Sequence, residues 1–345
     1  MLEAVALGGM LPSLKVSEAR VDNKNILVCG FGWTGSGAVI DYLDGCSGFS
    51  PFRSRFEESS IFKGKYSLAT VRKRLRSGQS VFEPEFVRNL MLALIGSSAL
   101  VPGGLTAVDK VNIKRNELLR WDVGLGALAG ATIALLERIF QYDEASDGFV
   151  CDERGFDSEV WNYINALADV RRKQIERPDD RLVFNNDPNA YNADVFDLVP
   201  DSNYVIVTRN LADVYATLVT LGKVRDSEQE ALAFIKQHKK KIELFSAAIK
   251  ALSDQVRRRV YFLSFEDFVQ QPELRDRLDE LLCLPADKAS SFDPSVSIKN
   301  IGLRHRLSSP HVRRVEEVLE TKRKKMLEHA KKVLGSNYLK LTEVA

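Results

Sequence analysis

Four short apolar runs punctuate this chain: NILVC at 25–29, LVF at 182–184, YVIVT at 204–208 and VYFLS at 260–264. Runs without alternation suit strands covered on both faces, as in a parallel sheet flanked by helices. Helical spacing fills the intervals, at about 84–97, 111–140, 156–176, 211–222, 227–255, 273–283 and 309–334. The last segment opens with Ser308-Ser309-Pro310, a cap followed by proline in the first turn, and charges recur around it. An exposed closing helix is predicted there. Val123–Leu136 is rich in Gly and Ala and too short to span a bilayer, so it predicts a buried, close-packed helix. Residues 50–110 give mixed signals, and CSGFSPFRSR at 46–55 does not read as a strand. The pattern predicts one α/β domain over 1–345, a doubly wound, mostly parallel sheet flanked by helices. It carries a helical insertion at about 70–180 and a closing helix at about 309–334.

Composition narrows the class. The 345 residues are 45% hydrophobic and 28% charged, enough for a sizeable core. Lys plus Arg number 49 against 47 for Asp plus Glu, so no global field recruits nucleic acid. Local basic runs at 72–76, 239–241 and 322–325 read as solvated helix faces. Cys29, Cys46, Cys151 and Cys283 are scattered, with no CxxC pair and no histidine at ligand spacing. Neither a disulfide framework nor a metal site is expected. Residues 1–24 lack a basic stretch followed by an apolar core, so no signal peptide or transmembrane segment is expected, and the compartment reads as reducing and cytoplasmic.

The first chemical candidate is Gly30-Phe31-Gly32-Trp33-Thr34-Gly35-Ser36-Gly37, between the first strand and a helical AVIDYLDG. A strand that breaks into glycines and then opens a helix aims backbone N–H groups and a positive helix end at one point, which suits phosphate or sulfate oxygens. Thr34 and Ser36 can add hydroxyl donors. The competing reading is a glycine turn that packs tightly against a neighbour. Gly30 and Gly35 meet half of the GxxxxGK[ST] pattern, but the lysine is missing. Gly30, Gly32 and Gly35 also fit GxGxxG, which wants an acidic residue about twenty positions on; Glu57 and Glu58 lie slightly too far.

A second constellation is Arg209-Asn210-Leu211-Ala212-Asp213, at the end of the YVIVT run, with Thr217 two helical turns beyond the arginine. A guanidinium at the carboxyl end of a strand stands where ligands of such sheets collect, and one phosphate could touch both Arg209 and Thr217. The plainer reading is an Arg209–Asp213 ion pair.

In these segments the chain resembles sulfotransferases that use 3′-phosphoadenosine 5′-phosphosulfate. Trp33-Thr34-Gly35-Ser36-Gly37 corresponds to that family's phosphosulfate loop, [KR]-[ST]-G-[ST]-[ST]. Arg209-Asn210, Asp213-Val214 and Thr217 match its 3′-phosphate motif in order and spacing. Ser264-Phe265-Glu266-Asp267, followed by Pro272, resembles a third segment. Lys299-Asn300-Ile301-Gly302 with Arg304, His305 and Arg306 resembles the late basic loop. The matches cover 25–45 and 200–306.

The resemblance implies a P-loop-like fold, this nucleotide as co-substrate, and no metal. It assigns nucleotide contacts to Gly32, Trp33, Thr34, Gly35, Ser36, Gly37, Arg209, Thr217, Lys299, Asn300, Gly302 and Arg304. It implies sulfuryl transfer by in-line displacement to a hydroxyl or amine acceptor, with a carbohydrate or small molecule as the leading class. A base near the loop is expected at Glu57 or Glu58, with Glu58 preferred, and a homodimer stays open. Trp33 stands where the family carries Lys or Arg; Lys24, Arg53, Arg55 and Lys299 are candidates to replace that cation. Two rivals remain: a P-loop kinase or NTPase with Asp187 on magnesium, and a nucleotide-binding protein without catalysis.

Overall fold

The computed structural model describes residues 25–44, 46–51, 59–62, 64–96, 123–176, 180–185, 196, 198–200, 202–285 and 291–339. The main sheet has six strands in the order β2-β6-β1-β7-β8-β9, all paired in parallel. These are β1 (Ile26–Gly30), β2 (Phe49–Pro51), β6 (Arg181–Asn185), β7 (Asn203–Thr208), β8 (Val260–Ser264) and β9 (Tyr338–Leu339). β1 lies at the centre, between β6 and β7. The chain leaves β1 toward β2 on one side and runs from β7 through β8 to β9 on the other. The carboxyl ends of β1 and β7 therefore flank the point where the strand order reverses, where open α/β sheets bind ligands.

Alternation along each strand builds two apolar layers. Leu27 and Cys29 of β1, with Tyr204, Ile206, Val260 and Phe262, enter one layer; Ile26, Val28, Val205, Val207, Tyr261 and Leu263 enter the other. The second layer is covered by α1 (Ser36–Leu43), α8 (Phe265–Gln270) and α9 (Pro272–Leu282) through Val39, Leu43, Phe268, Leu274 and Leu278. The first layer takes α6 (Leu211–Thr220), α7 (Glu228–Ala251) and α10 (Pro310–Leu334), and extends into the insertion.

Several expectations are corrected here. The segment around Phe49 is a strand, the sheet's edge beside β6; its three residues are too few for a pattern, and Pro51 is tolerated because an edge needs no ladder donor on its outer side. The insertion between β2 and β6 is not purely helical. It contains α2 (Leu68–Arg76), α3 (Pro84–Leu94), α4 (Leu125–Ile139), α5 (Phe156–Gln174) and a small antiparallel sheet, β3-β5-β4. That sheet comprises β3 (Val81–Phe82), β4 (Gln141–Asp143) and β5 (Gly148–Val150). α4 buries Leu128, Ala131, Leu135 and Ile139 but exposes Leu125 and Ile133, so it is half-buried rather than enclosed.

The basic run at 72–76 is not all solvated, because Arg72 is buried on Glu153 and Asp157 at 2.7 Å each. The closing helix is likewise not simply exposed. Ser309 caps it through the His311 and Val312 amides, and Val312, Val315, Leu319, Met326, Ala330 and Leu334 form a buried stripe.

Candidate functional site

The glycine loop leaves β1 in register with β7, where Gly30 faces Val207. Thr34 ties the two strand ends together. Its hydroxyl accepts from the Phe31 amide at 3.2 Å and donates to the Val207 carbonyl at 2.9 Å, and the residue is fully buried. Thr34 is therefore a strut of the loop, not the outward donor expected of it. Gly32, Trp33 and Gly35 all adopt positive φ, at 85°, 59° and 91°. For a tryptophan that conformation stores on the order of 1–3 kcal/mol of strain. The strain is held in place by Arg209, whose Nη1 donates to the Trp33 carbonyl at 3.4 Å, while the indole stays 50% exposed. Ser36 opens α1 and Gly37 is exposed, so the start of the helix lies at the loop's mouth, where the Ala38 amide closes the first turn on the Gly35 carbonyl at 3.0 Å.

Gly35 is glycine for a second reason. A β-carbon there would stand 2.2 Å from the Phe265 ring. Phe265 begins α8 at the end of β8, and its ring also lies 5.3 Å from the Arg209 guanidinium. One aromatic side chain thus separates and aligns the two candidate anion-binding groups. Glu266 accepts from the Asn210 amide at 2.7 Å and from Ser264 Oγ at 2.9 Å, pinning the ends of β7 and β8. That is the physical content of the Ser264-Phe265-Glu266-Asp267 segment.

Arg209 is 4% exposed, and burial pulls its pKa below the ordinary guanidinium value. Its Nη2 donates to Thr217 Oγ1 at 2.9 Å, to the Asp213 backbone carbonyl at 3.4 Å, and to the Asn300 carbonyl. Its buried Nε has no hydrogen-bond partner among the described residues. Arg209 and Thr217, read as able to share one phosphate, are brought into direct contact. The plainer alternative, an Arg209–Asp213 ion pair, is not present.

The Asp213 carboxylate instead holds the late loop. It accepts from the Gly302 amide at 2.9 Å, the Arg304 amide at 2.8 Å and Arg304 Nη1 at 2.8 Å. Arg304 Nε completes the bracket on Glu316 at 2.8 Å. Gly302 carries φ 71°, a turn that suits glycine. Arg304 is therefore held by protein carboxylates through its amide, Nε and Nη1, and braces the late loop. Lys299 is exposed, and Asn300 reaches the site through its carbonyl.

One cation at the loop went unforeseen. Lys241 of α7 donates from Nζ to the Phe31 carbonyl at 2.7 Å, and the same Nζ lies 3.5 Å from where a β-carbon on Gly32 would sit. The basic run at 239–241 hides this, because Lys240 is solvated while Lys241 shares the inward stripe of Phe234, His238 and Phe245. That periodicity was the available signal. Phe245 in turn packs edge-on against Phe31 at 5.1 Å.

His238, next to that basic run, is 4% exposed and stacked on Phe234 at 3.8 Å. Burial, helped by the Lys241 charge, pulls its pKa down to about 3. A depressed histidine pKa makes the unfolded chain take up the proton first, below about 6.5. Its contribution to stability is therefore present above that value and is lost as pH falls toward about 3, at up to about 1.4 kcal/mol per pH unit. Denaturant unfolding of wild type and His238→Leu from pH 7 to 4 should show the wild type's relative stability falling with pH.

Glu57 and Glu58 lie outside the described residues, as do Lys24, Arg53, Arg55 and Asp187. Among the described residues no helix is long and apolar enough to cross a membrane.

No family model matches the sequence, and no curated protein matches it. Solved sulfotransferases are similar to it over nearly its whole length. One from Alicyclobacillus acidocaldarius shares 16% identity, covering 92% of this chain and 96% of its own, at a TM-score of 0.45. One from Mycobacterium avium shares 12% identity over 94% of this chain and 80% of its own, at 0.43. The sulfotransferase domain from the curacin biosynthetic pathway shares 12% over 86% and 97%, at 0.38.

Proposed function

We propose that the chain is a sulfotransferase with 3′-phosphoadenosine 5′-phosphosulfate as donor, built as one domain over 1–345 in a cytoplasmic setting. One observation carries the reading: Arg209 bonds Thr217 on α6 and the Trp33 carbonyl of the glycine loop, bringing the two resembling motifs onto one guanidinium. The buried Nε of Arg209, without a partner among the described residues, fits an anionic ligand, since an unpaired buried donor costs about 1–3 kcal/mol until something accepts from it.

In this reading the amides around Gly32, Gly35, Ser36 and Gly37 take the 5′ end, and Arg209 with Thr217 takes the 3′-phosphate. Lys299, Asn300 and Gly302 belong to the segment that closes over it. When bound, the nucleotide supplies a sulfuryl group on an anhydride oxygen. The protein orients it for in-line displacement and stabilises charge. Glu58 or Glu57 takes the proton of a hydroxyl acceptor, a carbohydrate or another small molecule.

Calorimetry with 3′-phosphoadenosine 5′-phosphate, beside ATP with magnesium, tests the reading. Binding of the bisphosphate without metal is the expected result. Metal-dependent binding of ATP alone would establish the NTPase alternative instead. Trp33 favours a second reading, nucleotide binding without catalysis, which transfer to no member of an acceptor panel would support.

A further inference from the structure

We propose that Lys241 supplies, from α7, the cation that the loop itself lacks at Trp33. The inference rests on the sulfotransferase reading of the site. Three observations place it. Trp33 leaves the loop with a half-exposed indole and no charge of its own at that position. Lys241 Nζ stands 2.7 Å from the Phe31 carbonyl and within contact distance of Gly32, next in sequence to Trp33. The approach is also built in rather than incidental. Phe245, one helical turn on, is packed edge-on against Phe31, so the phase of α7 relative to the loop is fixed by core contacts. With no side chain on Gly32, the lysine meets the backbone directly.

An ammonium there sits on the glycine loop, at the 5′ end of the proposed nucleotide, whereas Arg209 also holds Thr217 of α6 at the 3′ end. In the transfer, the acceptor oxygen forms a bond to sulfur while the bond from sulfur to the bridging oxygen breaks. That electron pair stays on the departing 5′-phosphate, and the acceptor proton passes to the base. Lys241 offsets the charge that grows on the bridging oxygen. Trp33 is then released from the electrostatic role and presents an aromatic face outward.

The test uses two probes that differ only at the 5′ end, 3′-phosphoadenosine 5′-phosphate and adenosine 3′-monophosphate. Lys241→Met should bind the bisphosphate about 10- to 100-fold more weakly than wild type, the range for losing one charge-assisted contact. Its affinity for the 3′-monophosphate should stay at the wild-type value. Lys241→Arg should retain most of the bisphosphate affinity, and Trp33→Lys in the Lys241→Met background should recover it. Thermal unfolding of each variant identifies any that fail to fold; if Lys241→Met is one of them, Lys241→Gln with the same two probes carries the comparison. Equal weakening toward both probes would make Lys241 a structural tie for the Phe31 carbonyl and overturn the proposal. Unchanged bisphosphate affinity in Lys241→Met would overturn it too. If wild type binds neither probe, the sulfotransferase reading falls, and the role of Lys241 falls with it.

Discussion

Arg209→Ala is expected to weaken binding of 3′-phosphoadenosine 5′-phosphate by about 10- to 100-fold, while adenosine 5′-monophosphate keeps most of its affinity. The asymmetry follows from geometry. Arg209 pairs with Thr217 on α6 at 2.9 Å and touches the glycine loop only through the Trp33 carbonyl at 3.4 Å, so its loss strips the 3′ end of the ligand far more than the 5′ end. Arg209→Lys should recover only part of the affinity, since an ammonium lacks the planar fork that meets a phosphate through two donors. Thr217→Val is the milder companion. It removes the hydroxyl that accepts from Arg209 and keeps the volume, and should cost less than either arginine variant. Calorimetry with the two nucleotides, beside a thermal melt of each variant, reads the outcome. Equal loss toward both nucleotides would mean that Arg209 organises the fold and does not receive the 3′-phosphate.

The largest stability effect is expected at Gly35. Its φ of 91° penalises any side chain by roughly 1–2 kcal/mol. A methyl group would also meet three Phe265 ring carbons at 2.2, 2.6 and 2.9 Å. Overpacking of that kind costs about 1–3 kcal/mol in a packed core. Gly35→Ala should therefore lose about 2–5 kcal/mol in denaturant unfolding. In the Phe265→Ala background the same change should cost far less, because the steric part is gone and the backbone part remains. Gly37→Ala is the contrast. A β-carbon there meets nothing within 4 Å, so stability should hold while the methyl intrudes on the mouth of the loop and lowers nucleotide affinity. A Gly35→Ala protein as stable as wild type would show that the loop can relax away from Phe265.

The central strands were legible because each is buried on both faces, which leaves continuous apolar runs in β1, β6, β7 and β8. β2, β9 and the small antiparallel sheet were not, since two or three residues carry no period. Arg209 and Thr217 could be paired from spacing alone, because helical geometry fixes where the second falls once α6 begins at Leu211. Asp213 could not. Its carboxylate turns to Gly302 and Arg304, some ninety residues on, and local spacing points instead to Arg209. Lys241 was hidden by its own neighbours, where a run of three lysines looks uniformly solvated until the helix phase is counted.

Arg209 joins three segments that are distant in the chain: the glycine loop at Trp33, α6 at Thr217, and the late loop at Asn300. Since one guanidinium serves all three, their positions are not independent variables. An anion that draws Arg209 toward itself competes with the carbonyls that now occupy it, and a chain change that loosens those carbonyls hands donors to the anion. Such linkage is reciprocal by thermodynamic necessity. Ordering of the late loop and occupancy of the guanidinium are two readings of a single equilibrium.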